Sequence, residues 1–312
     1  MLYKNFGFSI NSDIELPFLI DDNNINTKAD IQIKQMLKKP ELSDYTQKYS
    51  VDISNSERLI CKVMNQKDSL IMDFENSVCF QYVHQNNQYN FYYYCYDEYP
   101  KEVQEKLISR FGMAYLFSWL GMTVLHGSAV CNNEQAICFV ADSNGGKSSV
   151  AGLFVANGCM MLADELLVLK ADKKGVTLLP SSPYLHLSDD ALKKIPFSHH
   201  RHISIVAQFK KDFMEVAEIT NRVDLRSVSS YKANRCQKII ILDRGHDGEV
   251  KTHKYKKVDA YMTLLHYLYT PIVFPAMRKN LLALMESIEL ERICFNDCFI
   301  QFEDIRKHMK EN

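Results

Sequence analysis

The sequence predicts an α/β chain: an α/β domain over residues 102–312, preceded by a smaller, mostly β domain over residues 1–101. Two observations carry this. The opening residues form a succession of short runs rich in β-branched and aromatic side chains, separated by Asn- and Asp-rich punctuation. From Thr123 onward, apolar strand-like runs alternate with helical spacing around a glycine-containing loop that ends in Lys147–Ser148.

The elements follow in order. Phe6–Ile10, Ile31–Gln35, Arg58–Met64, Ser69–Phe74, Val78–His84 and Gln88–Tyr96 read as strands. Within the last, the run Tyr89–Asn90–Phe91–Tyr92–Tyr93–Tyr94 reads as cross-strand aromatic packing rather than a base-stacking platform. Pro100 punctuates, and Leu107, Ile108, Phe111, Ala114, Tyr115 and Leu116 give Glu102–Leu120 an apolar helical face, with the domain boundary just ahead of it. Thr123–Leu125 and Ala136–Val140 read as strands, and Lys147–Ala156 as a helix stopped by Asn157–Gly158. Met160–Ala163 and Leu166–Leu169 are again strand-like, which makes a βαβ-type unit. Further on, Ser198–Val206, Lys238–Leu242 and Cys298–Phe302 look extended, and Tyr261–Tyr269 and Arg278–Ser287 look helical.

A length of 312 residues suits two domains, and 46% hydrophobic with 24% charged residues is ordinary for a soluble globular chain. With 37 basic against 38 acidic residues there is no electrostatic case for a nucleic-acid partner. The nine cysteines include no CxxC pair, and several sit in apolar runs, as in Ala136–Ile137–Cys138–Phe139–Val140; they read as buried, reduced thiols. Cys294 and Cys298 are too isolated to suggest a zinc site. No secretory or transit segment opens the chain, and the most apolar helical stretch, Gly112–Met122, falls short of the roughly 20 residues that span a bilayer. The expectation is a cytoplasmic protein without a membrane partner.

The chemistry concentrates at Ala141–Asp142–Ser143–Asn144–Gly145–Gly146–Lys147–Ser148, which fits A/G-x-x-x-x-G-K-S/T, the P-loop pattern. Polyphosphate needs backbone N–H groups converging on its oxygens, and Gly145 and Gly146 allow that concave path. A helix N-terminus behind the loop adds partial positive charge. The predicted nucleotide-binding set is Ser143, Asn144, Gly145, Gly146, Lys147, Ser148 and Ser149, with Lys147 reaching the β- and γ-phosphates of ATP and the Ser148 hydroxyl on Mg²⁺. Ala141 stands where the pattern usually has glycine, and a small residue can make that turn if its φ is negative. Beyond the helix, Ala163–Asp164–Glu165 follows Met160–Leu162, which places two carboxylates at a strand tip. If that strand neighbours the loop strand, Asp164 or Glu165 joins Ser148 as a metal ligand, or accepts a hydroxyl proton from a nucleophile.

Leu125–His126–Gly127–Ser128, the Asp142–Ser148 loop and Ala163–Asp164–Glu165 together resemble the HPr kinase/phosphorylase family in order and spacing. The resemblance implies a P-loop kinase domain of HPr kinase type. It implies Asp164 as the carboxylate that activates a serine hydroxyl, His126 close to the transferred phosphate, and homo-oligomerisation. The residues alone leave His126 open to being a packed histidine at a strand end. Phe6–Pro17, Leu125–Val130 and Ser182–Pro183–Tyr184–Leu185–His186–Leu187 are similar to the HPr-kinase-like proteins associated with ribosomally made, modified peptides, lasso peptides included. That likeness implies a precursor peptide phosphorylated on serine, often the C-terminal one. Two departures stand out: Glu165 replaces a second aspartate, and no Glu-x-Arg-Gly-type signature follows Asp164. Kinase activity without the phosphorylase reaction is therefore expected, on a serine-containing peptide or small protein other than HPr. A small-molecule hydroxyl kinase and a non-catalytic nucleotide-sensing module are the rival readings.

Two further groups remain. On a strand, adjacent residues of His199–His200–Arg201–His202 point to opposite faces, so only His200 and His202 could share a ligand set; a basic loop or phosphate-facing patch is the reading. Arg201, Arg222, Arg226 and Arg235 are candidate clamps for charge developing on a transferred phosphoryl group, and the sequence does not choose among them.

Overall fold

The computed structural model describes residues 1–16, 28–41, 47–52, 58–75, 77–197, 201–209, 216–245, 248–270 and 272–310. The chain divides into two compact units, Met1–Trp119 with Ala207–Glu218, and Leu120–Val206 with Ile219–Asn312.

In the first unit, β1 (Leu2–Asn5), β2 (Phe8–Ser12), β3 (Ile31–Gln35), β4 (Gln47–Asp52), β5 (Arg58–Gln66), β6 (Ser69–Phe74), β7 (Val78–Gln85) and β8 (Gln88–Cys95) form one sheet in the order β1-β2-β3-β8-β7-β6-β5-β4. β1 and β4 lie outside the expected runs, because Leu-Tyr-Lys-Asn and Gln-Lys-Tyr-Ser-Val-Asp are largely polar. Asn86 and Asn87, with φ of 54° and 56°, make the tight turn between β7 and β8, the left-handed geometry that Asn tolerates. The aromatic run packs across strands: Tyr82 lies opposite Phe91 with ring centroids 4.9 Å apart, and Phe80 meets Phe91 at 5.5 Å. The helical stretch consists of α1 (Lys101–Lys106), a π-helical turn Leu107–Gly112 and α2 (Met113–Trp119). It belongs to this unit, and the division falls after Trp119 instead of at residue 101. The reason is its aromatic face: Phe117 meets Phe6 at 4.7 Å, Tyr115 meets Phe74 at 5.4 Å, and a Cβ on Gly112 would lie 2.2 Å from the Phe91 ring.

Beyond Leu120 come β9 (Thr123–Asn132), β10 (Gln135–Val140), α3 (Lys147–Ala156), β11 (Met160–Asp172), β12 (Gly175–Leu179), β13 (Tyr184–Leu187), α4 (Asp189–Lys194), β14 (Arg201–Phe209) and β15 (Val216–Asp224). They are followed by β16 (Asn234–Arg244), β17 (Lys251–Lys254), α5 (Lys257–His266), α6 (Pro275–Ser287), β18 (Glu289–Phe295) and α7 (Phe302–Lys310). The main sheet runs β10-β9-β11-β12-β16-β18-β17, and β10 also pairs with β16, so β10, β9, β11, β12 and β16 close on one another. β16 manages three partners by dividing one edge: Asn234–Cys236 pair with β12 and Lys238–Arg244 with β18, while β10 takes the other edge. Alternate residues of β10 enter two cores. Ala136, Cys138 and Val140 join residues of α5 and α6, and Phe139 joins residues of α3 and α7. A separate three-stranded sheet has the order β13-β15-β14.

The chain is thus mixed α/β with a mostly β N-terminal region, as expected. Two details differ. Cys298–Phe302 is not extended; it is a turn leading into α7, capped by Gln301 accepting from the Asn296 amide at 2.7 Å. Met160–Ala163 and Leu166–Leu169 belong to one strand, whose register shifts between Met161 and Ala163 and in which Glu165 has φ 77°. His199 and His200 lie outside the described residues.

Candidate active site

β10 delivers the loop. At its end Ala141 is buried with a negative φ, so alanine serves the turn where the usual pattern has glycine. The two glycines have different reasons. Gly146 has φ 90°, a conformation that L side chains rarely adopt. A Cβ on Gly145 would sit 2.5 Å from the Ala141 Cβ and 3.0 Å from the Asp142 carbonyl, so there the requirement is space. The Val150 amide makes a 2.8 Å bond to the Gly146 carbonyl, which leaves the amides of Lys147, Ser148 and Ser149 as the first turn of α3, ahead of the intrahelical ladder. Ser143 and Asn144 are exposed on the loop, and Asn144 has φ 61°. The Lys147 side chain is buried and curls back, donating to the carbonyls of Ala141 and Asp142, both at 3.1 Å. Burial holds its ammonium below the ordinary lysine value, against the pull of Glu165, Asp164 and Asp142.

The carboxylates reach the loop by a different path from the one expected. β11 pairs with β9, and β9 pairs with β10, both antiparallel; β10 and β11 are therefore parallel with one strand between them. Register aligns the three: Phe139, Ser128 and Asp164 share one level, and Val140, Gly127 and Glu165 the next. The acidic pair is accordingly not at a strand tip. It lies within β11, level with the point where β10 stops and the loop starts. Gly127 makes this close stacking possible, since a Cβ there would lie 2.4 Å from the Phe139 carbonyl oxygen.

Asp164 is buried and heavily bonded. Its Oδ1 accepts from Ser128 Oγ at 2.6 Å and from Ser148 Oγ at 3.0 Å. Its Oδ2 accepts from the His186 amide at 3.0 Å and faces His186 Nδ1 at 3.4 Å. Burial alone would raise this carboxyl, but the hydrogen bonds and charge of His186, with the Ser128 hydroxyl, hold it below the usual aspartate value. Glu165 is half-buried, its carboxylate 3.9 Å from His126 Nε2 and 4.0 Å from His186 Nδ1. His126 is exposed rather than packed away, and its ring meets Tyr269 edge-on at 5.8 Å. Ligand atoms of Asp164, Glu165 and His186 all lie within 4.8 Å of one another. At the mouth, His266 Nε2 from the end of α5 lies 3.0 Å from the Asp142 carboxylate.

Lys147, Ser148, Asp164, Glu165 and His126 thus share one neighbourhood. Ser128 and His186 complete it, although no role for either was legible in the sequence. Ser128 sits inside the Leu-His-Gly-Ser run, and only the β9–β11 register shows which carboxylate it meets. His186 arrives from β13, whose place beside β11 has no sequence signal. Of the candidate arginines, Arg235 stands at the far end of β16, level with Gln135 and 4.0 Å from Asp172. Arg226 is chelated by Asp224, with its closest contact at 2.6 Å. Arg222 lies directly opposite His186 on β15, and Arg201 opens β14.

Among solved structures, the chain is similar to the HPr(Ser) kinase/phosphatase from Coxiella burnetii: 10% identity, 60% of this chain and 91% of that one covered, TM-score 0.32. The sequence matches no family model and no curated protein. At that level of likeness, the functional reading stands on the geometry of the pocket. No helix among the described residues is long and apolar enough to cross a membrane.

Proposed function

We propose that this chain is an ATP-dependent phosphotransferase that moves the γ-phosphoryl group to a hydroxyl, with a serine of a peptide or small protein as the acceptor. One observation carries the reading: Ser148, in the first turn of the loop helix, and Asp164, on the carboxylate strand, meet in a 3.0 Å hydrogen bond. A phosphate cradle and an anionic oxygen set thereby face one another, which phosphoryl transfer requires.

The donor set suits Mg²⁺, a hard cation that takes hydroxyl and carboxylate oxygens. Ser148, Asp164 and Glu165 would hold it, and when bound it offsets charge on the β- and γ-phosphoryl oxygens. The rest is the work of the chain. The first-turn amides of α3 and the Gly145–Gly146 backbone bind phosphate oxygens. Lys147 exchanges its two loop carbonyls for phosphate oxygens, a substitution of one charge-assisted bond for another. Asp164 accepts from three donors, Ser128 Oγ, Ser148 Oγ and the His186 amide, with His186 Nδ1 facing it; rotation of the Ser148 hydroxyl away from Oδ1 frees a lone pair for the acceptor O–H. His186 holds the opposite oxygen and keeps the carboxylate anionic and oriented. His126, beside Glu165, faces the same space and can donate to a transferring phosphoryl oxygen.

Likeness of Phe6–Pro17 and Ser182–Leu187 to kinases of modified precursor peptides, lasso peptides among them, supports a peptide acceptor. The test is mass spectrometry of serine-containing peptides, with free and amidated C-termini, after incubation with the protein and Mg·ATP. A phosphate shift on serine, absent with Asp164→Asn, establishes a peptide kinase. No shift while Mg·ATP is still bound moves the assignment to a small-molecule hydroxyl kinase or a nucleotide-sensing module.

A further inference from the structure

The sheet continues on both sides of the strand that delivers the loop. One register row crosses it at the end of β10: Glu165 on β11, Gly127 on β9, Val140 on β10, Ile241 on β16, Arg292 on β18 and His253 on β17. The acidic pair stands on one arm of this row. A nucleoside triphosphate held by the loop with its reacting end on that arm carries its nucleoside over the other, where β10, β16 and β18 are parallel and their carboxyl ends open. Partners opposite one another on neighbouring strands project to the same face, so Arg292 projects with Val140 and Ile241 onto the face covered by α5 and α6. The groups gathered there are aromatic and cationic. The Arg292 guanidinium carbon lies 5.5 Å from the centre of the Tyr255 ring, a cation–π contact that orients its plane. Its side chain is 41% exposed, and Nη1 pairs with the Asp243 carboxylate at 3.5 Å. Tyr267, half-buried at the end of α5, is anchored through its carbonyl to the His126 amide at 3.1 Å. Burial, then the charge of Asp142, pushes its phenol up to about 12 against the pull of Arg292, so it stays protonated. His266 meets Tyr267 edge-on at 5.0 Å and Asp142 at 3.0 Å, which ties this aromatic group to the loop.

Every nucleobase has flat π faces, and a guanidinium or aromatic plane binds them by stacking. We propose that Arg292, backed by the Tyr255 ring and flanked by Tyr267, is the subsite that stacks against the base of the nucleoside triphosphate donor. It rests on the phosphotransferase reading for which end of the donor faces Asp164. The loop then holds the phosphates and the Arg292 group holds the nucleoside, so the two contributions to affinity are separable. The subsite also distinguishes a nucleotide from inorganic polyphosphate, which offers the loop the same oxygens and has no plane to stack.

The test uses the full chain, as wild type, Arg292→Lys and Tyr267→Leu, titrated calorimetrically with Mg·ATP and with Mg·tripolyphosphate. Wild type is expected to bind Mg·ATP about tenfold or more tighter than Mg·tripolyphosphate. Arg292→Lys keeps the charge and removes the plane, so the advantage of ATP should shrink to about threefold or less while affinity for tripolyphosphate stays within about threefold of wild type. Tyr267→Leu removes the flanking ring and leaves Arg292 in place, and should lower the advantage in part. Binding of tripolyphosphate also reports that each variant is folded. Equal affinity of wild type for the two probes overturns the subsite. So does an Arg292→Lys loss as large for tripolyphosphate as for ATP, or a full ATP advantage retained by both variants. An ATP advantage that Arg292→Lys abolishes, in a protein that transfers no phosphoryl group to any peptide or small-molecule hydroxyl, overturns the phosphotransferase reading and leaves the subsite standing.

Discussion

The loop makes a prediction that turns on a single pair of carbons. At Gly145 the backbone is not left-handed; the obstacle to a side chain is the Ala141 Cβ, 2.5 Å from where a new Cβ would be, with the Asp142 carbonyl oxygen next at 3.0 Å. Normal carbon–carbon contact lies near ~3.5–4.0 Å, so Gly145→Ala must open the loop by roughly an ångström on the Ala141 side. Overpacking of that kind costs about 1–3 kcal/mol, and the distortion falls on the segment that would receive phosphate. If the binding conformation bears that cost, affinity for Mg·ATP should fall about 5- to 150-fold. The Ala141→Gly change removes the obstructing carbon. The double variant Gly145→Ala with Ala141→Gly should therefore recover most of the loss, keeping only the tighter approach to Asp142. Calorimetric titration with Mg·ATP on wild type, both single variants and the double variant gives the cycle. A double variant that binds no better than Gly145→Ala would refute steric closure between residues 141 and 145 as the reason for glycine.

Four other outcomes follow from the same geometry. Asp164→Asn should leave Mg·ATP affinity within about threefold and lower phosphoryl transfer by about a hundredfold or more, as read by phosphopeptide formation; a fully active variant sinks the assignment. Because His186 and Ser128 hold the Asp164 carboxyl below the usual aspartate value, against the effect of burial, its contribution to stability is present above the unfolded-state pKa and is lost as pH falls through the folded one. Denaturant midpoints of wild type and Asp164→Asn should accordingly converge in acid; a constant gap between pH 7 and pH 3 would contradict this. Gly127→Ala, whose Cβ would meet the Phe139 carbonyl at 2.4 Å, should destabilise by about 1–3 kcal/mol in urea unfolding, and an unchanged midpoint would show that β9 and β10 can separate without cost. Burial pushes the Cys298 thiol up to about 11, and the Cys236 thiol together with burial pushes Cys138 up as well. Native alkylation at pH 8, read by mass spectrometry, should spare both and reach the half-exposed Cys159, while equal labelling of all three would show that the buried thiols open.

Much of the fold was legible because local chemistry and tertiary demand agree. The helix Lys147–Ala156 occurs as read, since a loop glycine starts it, Asn157–Gly158 stops it and Val150–Val155 are buried, so that packing carries a helix whose Ser, Val and Gly residues have modest propensity. Elements whose residues do not declare themselves were missed. Gln47–Asp52 is a strand because β5 pairs with it along its whole length, an edge that tertiary pairing supplies and composition does not. The helical stretch from Lys101 to Trp119 was recognised, but its unit was not. Its aromatic face could have suited either neighbour, and the rings of Phe6 and Phe74, distant in sequence, decide the matter.

The site divides in the same way. Loop, lysine and first-turn serine are contiguous and carry a motif, so the sequence could name them. The Asp164–Glu165 pair was found as well, but for a geometry it does not have: a crossover strand beside β10 was expected, and β9 lies between. The insertion has a chemical consequence. It puts Ser128 between the loop strand and Asp164, and gives the carboxylate a third short-range donor that a direct β10–β11 pairing would exclude. Glu165 takes φ 77° within β11, a conformation costing about 1 kcal/mol or more for a non-glycine residue, and its carboxylate lies near both His126 and His186. Neither register nor a backbone exception of one residue has a signature in composition or periodicity. His186 is harder still, because its amide matters as much as its ring, and an amide carries no residue identity. The part of the site that binds phosphate is therefore written in residue types, whereas the part that sets the charge and direction of Asp164 is written in strand register.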